Sequence, residues 1–124
     1  SNCYIAASEG LKMEDFSGLA PGVNIFTGSD DYSGKKLTNP TVDRKYIGGK
    51  SGEVVLGRHV IIGSNSVILP GVHIGEGSSV GALSLVTKSL ESWGVYFGAP
   101  VKKIKSRSQK LLELEKEFLK NNGE

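Results

Sequence analysis

The chain has 124 residues, 38% of them hydrophobic, and its 15 basic and 13 acidic side chains leave a net charge of +2. This suits one domain with a modest core and gives no reason to expect nucleic acid as a partner. Cys3 is the only cysteine, which excludes an intrachain disulfide and favours a cytoplasmic location, and no apolar run approaches the roughly 20 residues that cross a bilayer, so no membrane partner is expected.

The opening SNCYIAAS already reads like part of a repeat, with Tyr4 and Ile5 followed by small residues. A repeat array that begins bare leaves unpaired strand edges, so the expectation is a fragment, or an end covered by a partner or a further segment. From 11 to 28, LKMEDFSGLAPGVNIFTG sets Met13, Leu19 and Ile25 six residues apart. Residues 28–52, GSDDYSGKKLTNPTVDRKYIGGKSG, are polar and rich in Gly, Asn, Asp and Pro. They interrupt the register, because Ile25 and Leu56 are 31 apart, and they read as a protruding loop that walls a site.

Beyond the loop, Leu56, Ile62, Ile68, Ile74, Val80 and Val86 recur every six residues. Neither the two-residue alternation of a strand nor the period of a helix produces this spacing. A short strand followed by a corner, repeated, does. Gly57, Gly63, Gly75 and Gly81 follow the aliphatic residues, and Val54, Val60, Ser66, Val72, Ser78 and Ser84 stand two before them, small enough to line a tight bend. Three sides make a coil of about 18 residues, so 54–89 supplies two coils and 11–28 about one more. A β-sandwich with regular turns is the competing arrangement, but its hairpins would vary in spacing.

After Lys88 the repeats stop, and SLESWGVYFGAPVKKIK reads as turns with a final short apolar stretch. The segment SRSQKLLELEKEFLKNN is predicted helical, with Leu111, Leu114 and Phe118 in a stripe that Leu112 and Leu119 widen, an N-cap at Ser106 or Ser108, and a stop at 121–123. The expected fold is an all-β solenoid over 1–104 with its loop at 28–52, then a C-terminal α-helix within 105–124 packed on its own solenoid or on a neighbouring subunit.

The stretch HVIIGSNSVILPGVHIGEGSSVGALSLVTKSLESWGVYFGAPVKKIK resembles the left-handed parallel β-helix acyltransferases of the hexapeptide-repeat superfamily. The likeness is greatest to small-molecule acetyltransferases acting on sugars, including nucleotide-linked amino sugars of surface polysaccharide pathways. It spans 11–28 and 53–107, and GAPVKKIK resembles the family's Gly-x-Pro-Ala-Lys ending. The resemblance alone implies the left-handed coil, since the general preference for right-handed crossovers predicts the opposite. It also implies a homotrimer with sites between subunits, acetyl-CoA lying along a groove between coils, and a sugar hydroxyl or amine as acceptor.

Acetyl transfer from a thioester needs a base for the nucleophile's proton, donors for the oxyanion, and close placement of thioester and acceptor. Many relatives use a histidine in the loop, and this chain has Asp30 at the corresponding place, with Asp31 and Tyr32 beside it. The candidate bases are therefore Asp30 and Asp31, whose adjacency raises one titration, Glu53 at the first corner after the loop, and His59 by virtue of its ordinary pKa. Each has a plainer role as a polar turn, a corner charge or a surface imidazole. His73 falls on an outward strand position. Ser29 and Tyr32 are candidate substrate contacts.

For the cofactor, the resemblance points to Gly81, Ala82, Ser84, Leu85 and Ala99 along the pantetheine arm, with Lys88, Lys102, Lys103 and Arg107 toward the CoA phosphates. Trp93 and Tyr96 are candidate groove walls. A metal is not expected, because the carbonic anhydrase version of the fold needs three histidines and only two are present. A catalytically silent trimeric scaffold or binding subunit is the second reading.

Overall fold

A computed structural model describes residues 3–6, 9–29 and 50–122. The six-residue period becomes a three-faced parallel β-helix. Face A holds β1 (Tyr4–Ala6), β4 (Asn24–Phe26), β9 (Val67–Ile68) and β12 (Leu85–Val86), all parallel. Face B holds β2 (Leu11–Met13), β7 (Val54–Leu56) and β10 (His73–Ile74), also parallel. Face C holds β3 (Gly18–Leu19), β8 (Ile61–Ile62), β11 (Ser79–Val80) and β13 (Gly94–Gly98) in parallel, with β14 (Val101–Ser106) added antiparallel. His73 pairs with Val55, Ser79 with Ile61 and Leu85 with Val67, a stacking interval of 18 residues.

Strand alternation sets the contents of the prism. Leu56, Ile62, Ile68, Ile74, Val80 and Val86 are buried with Val23, Ile25, Val54, Val60 and Val72. Their neighbours face outward, and His73 is exposed as expected. Ser66, Ser78 and Ser84 are buried too, and their hydroxyls are satisfied by the next coil. Ser66 Oγ donates to Gly81 O at 2.9 Å, Ser78 Oγ donates to Glu91 O at 2.6 Å, and Ser84 Oγ accepts from Gly98 N at 3.2 Å.

Between coil sides the chain turns through one residue of positive φ. His59, Asn65, Gly71, Gly77 and Leu83, six apart, all lie between 59° and 76°. The glycine after Leu56, Ile62, Ile74 and Val80 answers a different need, because successive corners touch. A Cβ on Gly63 would lie 2.5 Å from Ala82 N.

Length varies at only one of the three edges. Along the inward column, Met13 to Leu19, Leu56 to Ile62, Ile74 to Val80 and Leu90 to Tyr96 each take six residues between faces B and C. Faces C and A are likewise six apart. Between faces A and B the step is eight residues from Ile5 to Met13, 31 from Ile25 to Leu56, six from Ile68 to Ile74, and four from Val86 to Leu90. The 31-residue step therefore leaves the register of the coil unchanged. The neck at which residues 28–52 depart and return is β5 (Gly28–Ser29) paired antiparallel with β6 (Lys50–Ser51), closed by a bond from Gly52 N to Thr27 O.

The solenoid also continues past Lys88, where the repeat pattern ends in the sequence. Leu90 bridges Ile74, and Tyr96 stacks on Val80. The corner before Leu90 is two residues short, which hides the period, and a buried aromatic ring replaces the aliphatic residue. Tyr96 OH donates to Glu91 O at 2.9 Å, and burial together with the Glu91 charge pushes its phenol pKa up.

The helix α1 (Leu111–Asn121) follows β14, with Asn122 Nδ2 donating to Phe118 O at its end. The N-cap is Lys110, not Ser106 or Ser108, and it makes no side-chain cap bond. Ser106 is still in β14, and Ser108 Oγ accepts from Lys110 N one residue before the helix. At the opposite end, Ile5 holds the inward register over Ile25 but is 43% exposed.

Candidate functional site

The three edges of the prism sort the candidate residues. The edge between faces A and B carries Glu53, Lys88 and the neck of the 28–52 loop. Glu53 is exposed, and its carboxylate lies across Gly10, whose added Cβ would stand 3.3 Å from Glu53 Oε2. Gly10 itself has φ +103°, so the chain leaves this corner in a conformation that glycine favours. Ser29 ends the first strand of the neck. Asp30, Asp31 and Tyr32 lie outside the described residues.

The edge between faces B and C carries His59 and Arg107. His59 is 8% exposed, so within this chain it does not stand on the open surface. Its ring stacks on Phe16 at 5.0 Å and 12°, and its Nε2 lies 2.6 Å from Glu115 Oε1 in α1. The partner is a carboxylate, so Nε2 carries the hydrogen and donates it. Arg58 also pairs with Glu115. The hydrogen bond from His59, then the Arg58 charge, hold the Glu115 carboxyl below the usual carboxylate range against the opposing effect of its burial.

Arg107 completes this edge. Its Nη1 donates to His59 O at 2.7 Å and to Gly77 O at 2.9 Å, while its backbone N donates to Trp93 O. Trp93 lies over Gly77, where a Cβ would fall 2.3 Å from the ring, and so covers a corner. These contacts tie α1 and β14 to the solenoid. Arg107 thus sits at the far end of face C from the other cofactor candidates, with part of its guanidinium engaged by backbone carbonyls.

The edge between faces C and A gathers Gly81, Ala82, Ser84, Leu85 and Ala99, with Lys102 and Lys103 on β14 beside it. Lys102 pairs across the hairpin with Phe97, and Lys103 with Tyr96. Ala82, Ala99, Lys102 and Lys103 are exposed and Leu85 is half-buried, whereas the Ser84 side chain points inward to Gly98 N. Phe97 folds over Gly81, whose Cβ would meet Phe97 Cδ1 at 2.6 Å. Small residues leave the main chain approachable here, and the lysines supply positive charge for an anionic ligand.

Sequence reasoning did not single out Phe16, Arg58, Glu115, Leu83 or Phe97. The signal for His59 and Leu83 was available: positions 59, 65, 71, 77 and 83 recur every six residues, and an imidazole or a leucine in a series with Asn and Gly marks a special corner. Glu115 gave no signal, because a glutamate in a charged helix is ordinary.

The family model "Bacterial transferase hexapeptide (six repeats)" matches residues 53–88. The chain is 42% identical over 108 residues to dTDP-4-amino-4,6-dideoxy-D-glucose acyltransferase of Escherichia coli, a match covering 87% of this chain and 56% of that one. It superposes with TM-score 0.89 on AntD, an N-acyltransferase from Bacillus cereus in complex with dTDP and 3-hydroxybutyryl-CoA, at 44% identity over 100% of this chain and 70% of AntD. A galactoside acetyltransferase in complex with coenzyme A superposes at TM-score 0.73 and 29% identity, covering 87% of this chain and 50% of that one. The chain spans a little over half the length of the Escherichia coli relative. By this likeness, and with its own coils stacked at 18-residue intervals, the chain belongs to the hexapeptide-repeat acyltransferases.

Proposed function

We propose that the chain performs acyl transfer from an acyl-CoA, acetyl-CoA being the expected donor, to an amine or hydroxyl of a nucleotide-linked sugar, in the cytoplasm and in surface polysaccharide synthesis. The observation that carries this reading is the likeness of the whole described fold to an N-acyltransferase bound to dTDP and an acyl-CoA. The solenoid of 1–104 is the acyltransferase unit, and 105–124 contribute the helix that closes the edge between faces B and C. An amine acceptor accounts best for the missing loop histidine. Its nitrogen attacks the thioester carbonyl, the C–N bond forms, the C–S bond breaks, and the nitrogen's proton passes to a carboxylate or to the departing thiolate.

The cofactor-binding residues in this proposal are Gly81, Ala82, Leu85, Lys88, Ala99, Lys102 and Lys103. Asp30, Asp31 and Glu53 are the candidate bases, with Ser29 and Tyr32 toward the sugar. His59 is assigned to the clasp on α1. The loop neck and Glu53 stand on one edge, and the small-residue corner stands on another across face A. A homotrimer in which the loop edge of one copy meets the cofactor edge of the next would bring them together, and this favours that assembly.

The test is thiol release from acetyl-CoA and 3-hydroxybutyryl-CoA in the presence of dTDP-4-amino-4,6-dideoxyglucose. Turnover with amide formation supports the reading. No turnover, together with no thermal stabilisation by millimolar acyl-CoA, would favour the silent scaffold instead.

A further inference from the structure

We infer that α1 pins the first coil to the later ones, and that Phe118 and Glu115 are thereby positioning residues for the neck of the 28–52 loop, which lies on a different edge. The pinning stands apart from the acyltransferase reading; only its bearing on catalysis rests on that reading. The first coil needs a fastening that the others do not. Later coils are joined by steps of six or four residues, but the first reaches the second through the 31-residue step from Ile25 to Leu56. A connection of that length restrains its ends far less than a tight corner does. The strands of this coil are also terminal: β2 ends face B and β3 ends face C, and only β4 is covered, by β1. Met13 is accordingly 40% exposed and Leu19 half-buried, whereas Leu56 and Ile62, stacked on them, are fully buried. Few buried contacts and a long connection make this coil the unit that opens most readily by itself.

The helix meets every corner of one edge. Phe16, His59, Gly77 and Trp93 are the positive-φ corners of four successive coils between faces B and C. The chain returns past them in reverse order. Arg107 donates to the carbonyls of Trp93, Gly77 and His59, Glu115 holds His59 and Arg58, and Phe118 sets its ring edge-on to Phe16 at 6.2 Å. Coils of a solenoid touch their immediate neighbours, so a segment that touches all four couples the first to the last.

Opening of the first coil would undo the neck as well. Thr27, at the end of this coil, accepts from Gly52 N at 2.9 Å and, through Oγ1, from Glu9 N at 3.0 Å. Glu53 lies across Gly10. The Thr27–Gly52 and Gly10–Glu53 contacts join the first coil to the second, so the placement of Glu53 and of the loop's two ends depends on the coil staying docked.

The experiment is residue-resolved hydrogen exchange under native conditions, without ligand, on the full chain and on its Phe118→Ala, Phe118→Tyr, Glu115→Gln and Phe97→Ala variants. The amides of Gly18, Ala20 and Asn24 donate to Val60, Ile62 and Ser66 and report docking of the first coil. Gly52 reports the neck, and Gly63, Val67 and Gly81, which donate to Val80, Ser84 and Tyr96, report the later coils. Phe118→Ala should speed exchange at the first coil and the neck about tenfold, near the upper end for loss of an aromatic pair, with a distinctly smaller change in the later coils. Glu115→Gln should give the same pattern at pH 7, and Phe118→Tyr should keep wild-type rates. Phe97→Ala removes an equally exposed ring from a different edge and should leave the first coil unchanged. Acceleration confined to α1, or uniform across all coils, would overturn the inference. A tenfold rise in a minor open population leaves most molecules docked, so exchange is the readout in place of turnover, and failure here would leave the acyltransferase reading intact.

Discussion

His59 Nε2 and Glu115 Oε1 stand 2.6 Å apart, joining a corner of the solenoid to the C-terminal helix across 56 residues of sequence. Arg58 pairs with the same carboxylate, and Phe118 meets Phe16 edge-on at 6.2 Å. No α1 residue is fully buried. The helix is therefore held by a few specific contacts more than by area, and those contacts should be separable from the stability of the coils.

Glu115→Gln should loosen α1 and lower the unfolding midpoint at neutral pH. The Glu115 pKa is lowered in the folded state, so the contribution of its ionised form is present above the usual glutamate value of 4.5 and is lost as pH falls through the lower folded value. Urea titrations of wild type and Glu115→Gln should differ at pH 7 and converge at acid pH. Curves that stay equally separated from pH 7 to pH 3 would show that the carboxylate's charge is not what holds the helix.

His59→Gln tests the same clasp from the other side. The imidazole is buried by Phe16 and Glu115 and lies on a different edge from both the loop neck and the Gly81 corner. The variant should lose thermal stability yet keep kcat within about twofold, whereas removal of a general base costs typically 10²–10⁴-fold. A fall of that size at a temperature where the variant is folded would restore His59 as a candidate base.

Gly63→Ala should destabilise by about 1–3 kcal/mol, the usual cost of overpacking. The added Cβ would stand 2.5 Å from Ala82 N and 2.8 Å from Gly81 C, and backbone cannot rotate aside as a side chain can. Gly18, which has no heavy atom within 4 Å of an added Cβ, is the control, and Gly18→Ala should be close to neutral by chemical denaturation. Equal effects at both positions would mean that coil contact does not explain the corner glycines.

The solenoid was legible because its cause is local. One buried aliphatic residue per side, one tight corner and one repeat length leave a six-residue period in the sequence that the variable spacing of hairpins in a β-sandwich would not sustain. Its extension to Leu90 and Tyr96 was hidden by a step of four residues where the preceding coil takes six, whereas Ile5 was legible as part of a repeat although eight residues separate it from Met13. The small-residue corner at Gly81 and Ala82 was legible through family resemblance. The clasp was not, because Arg58, His59, Arg107 and Glu115 come from three separate elements and no spacing announces that they meet.

Arg107 distinguishes the two roles most directly. From sequence it is a candidate for the CoA phosphates, but its Nη1 donates to the carbonyls of His59 and Gly77, at 2.7 and 2.9 Å, on the edge opposite the lysines. Arg107→Met keeps much of the hydrocarbon stem and removes the charged donor, leaving two corner carbonyls short of a partner. Hydrogen bonds to charged groups contribute about 1.5–3 kcal/mol, so stability should fall by that order. In a double-mutant cycle with Glu115→Gln the losses should be non-additive, because both residues fasten the corner at His59. KM for acyl-CoA should not change. A raised KM with unaltered stability would instead place the guanidinium on the cofactor, and the clasp would then rest on Glu115, Arg58 and the aromatic contacts alone.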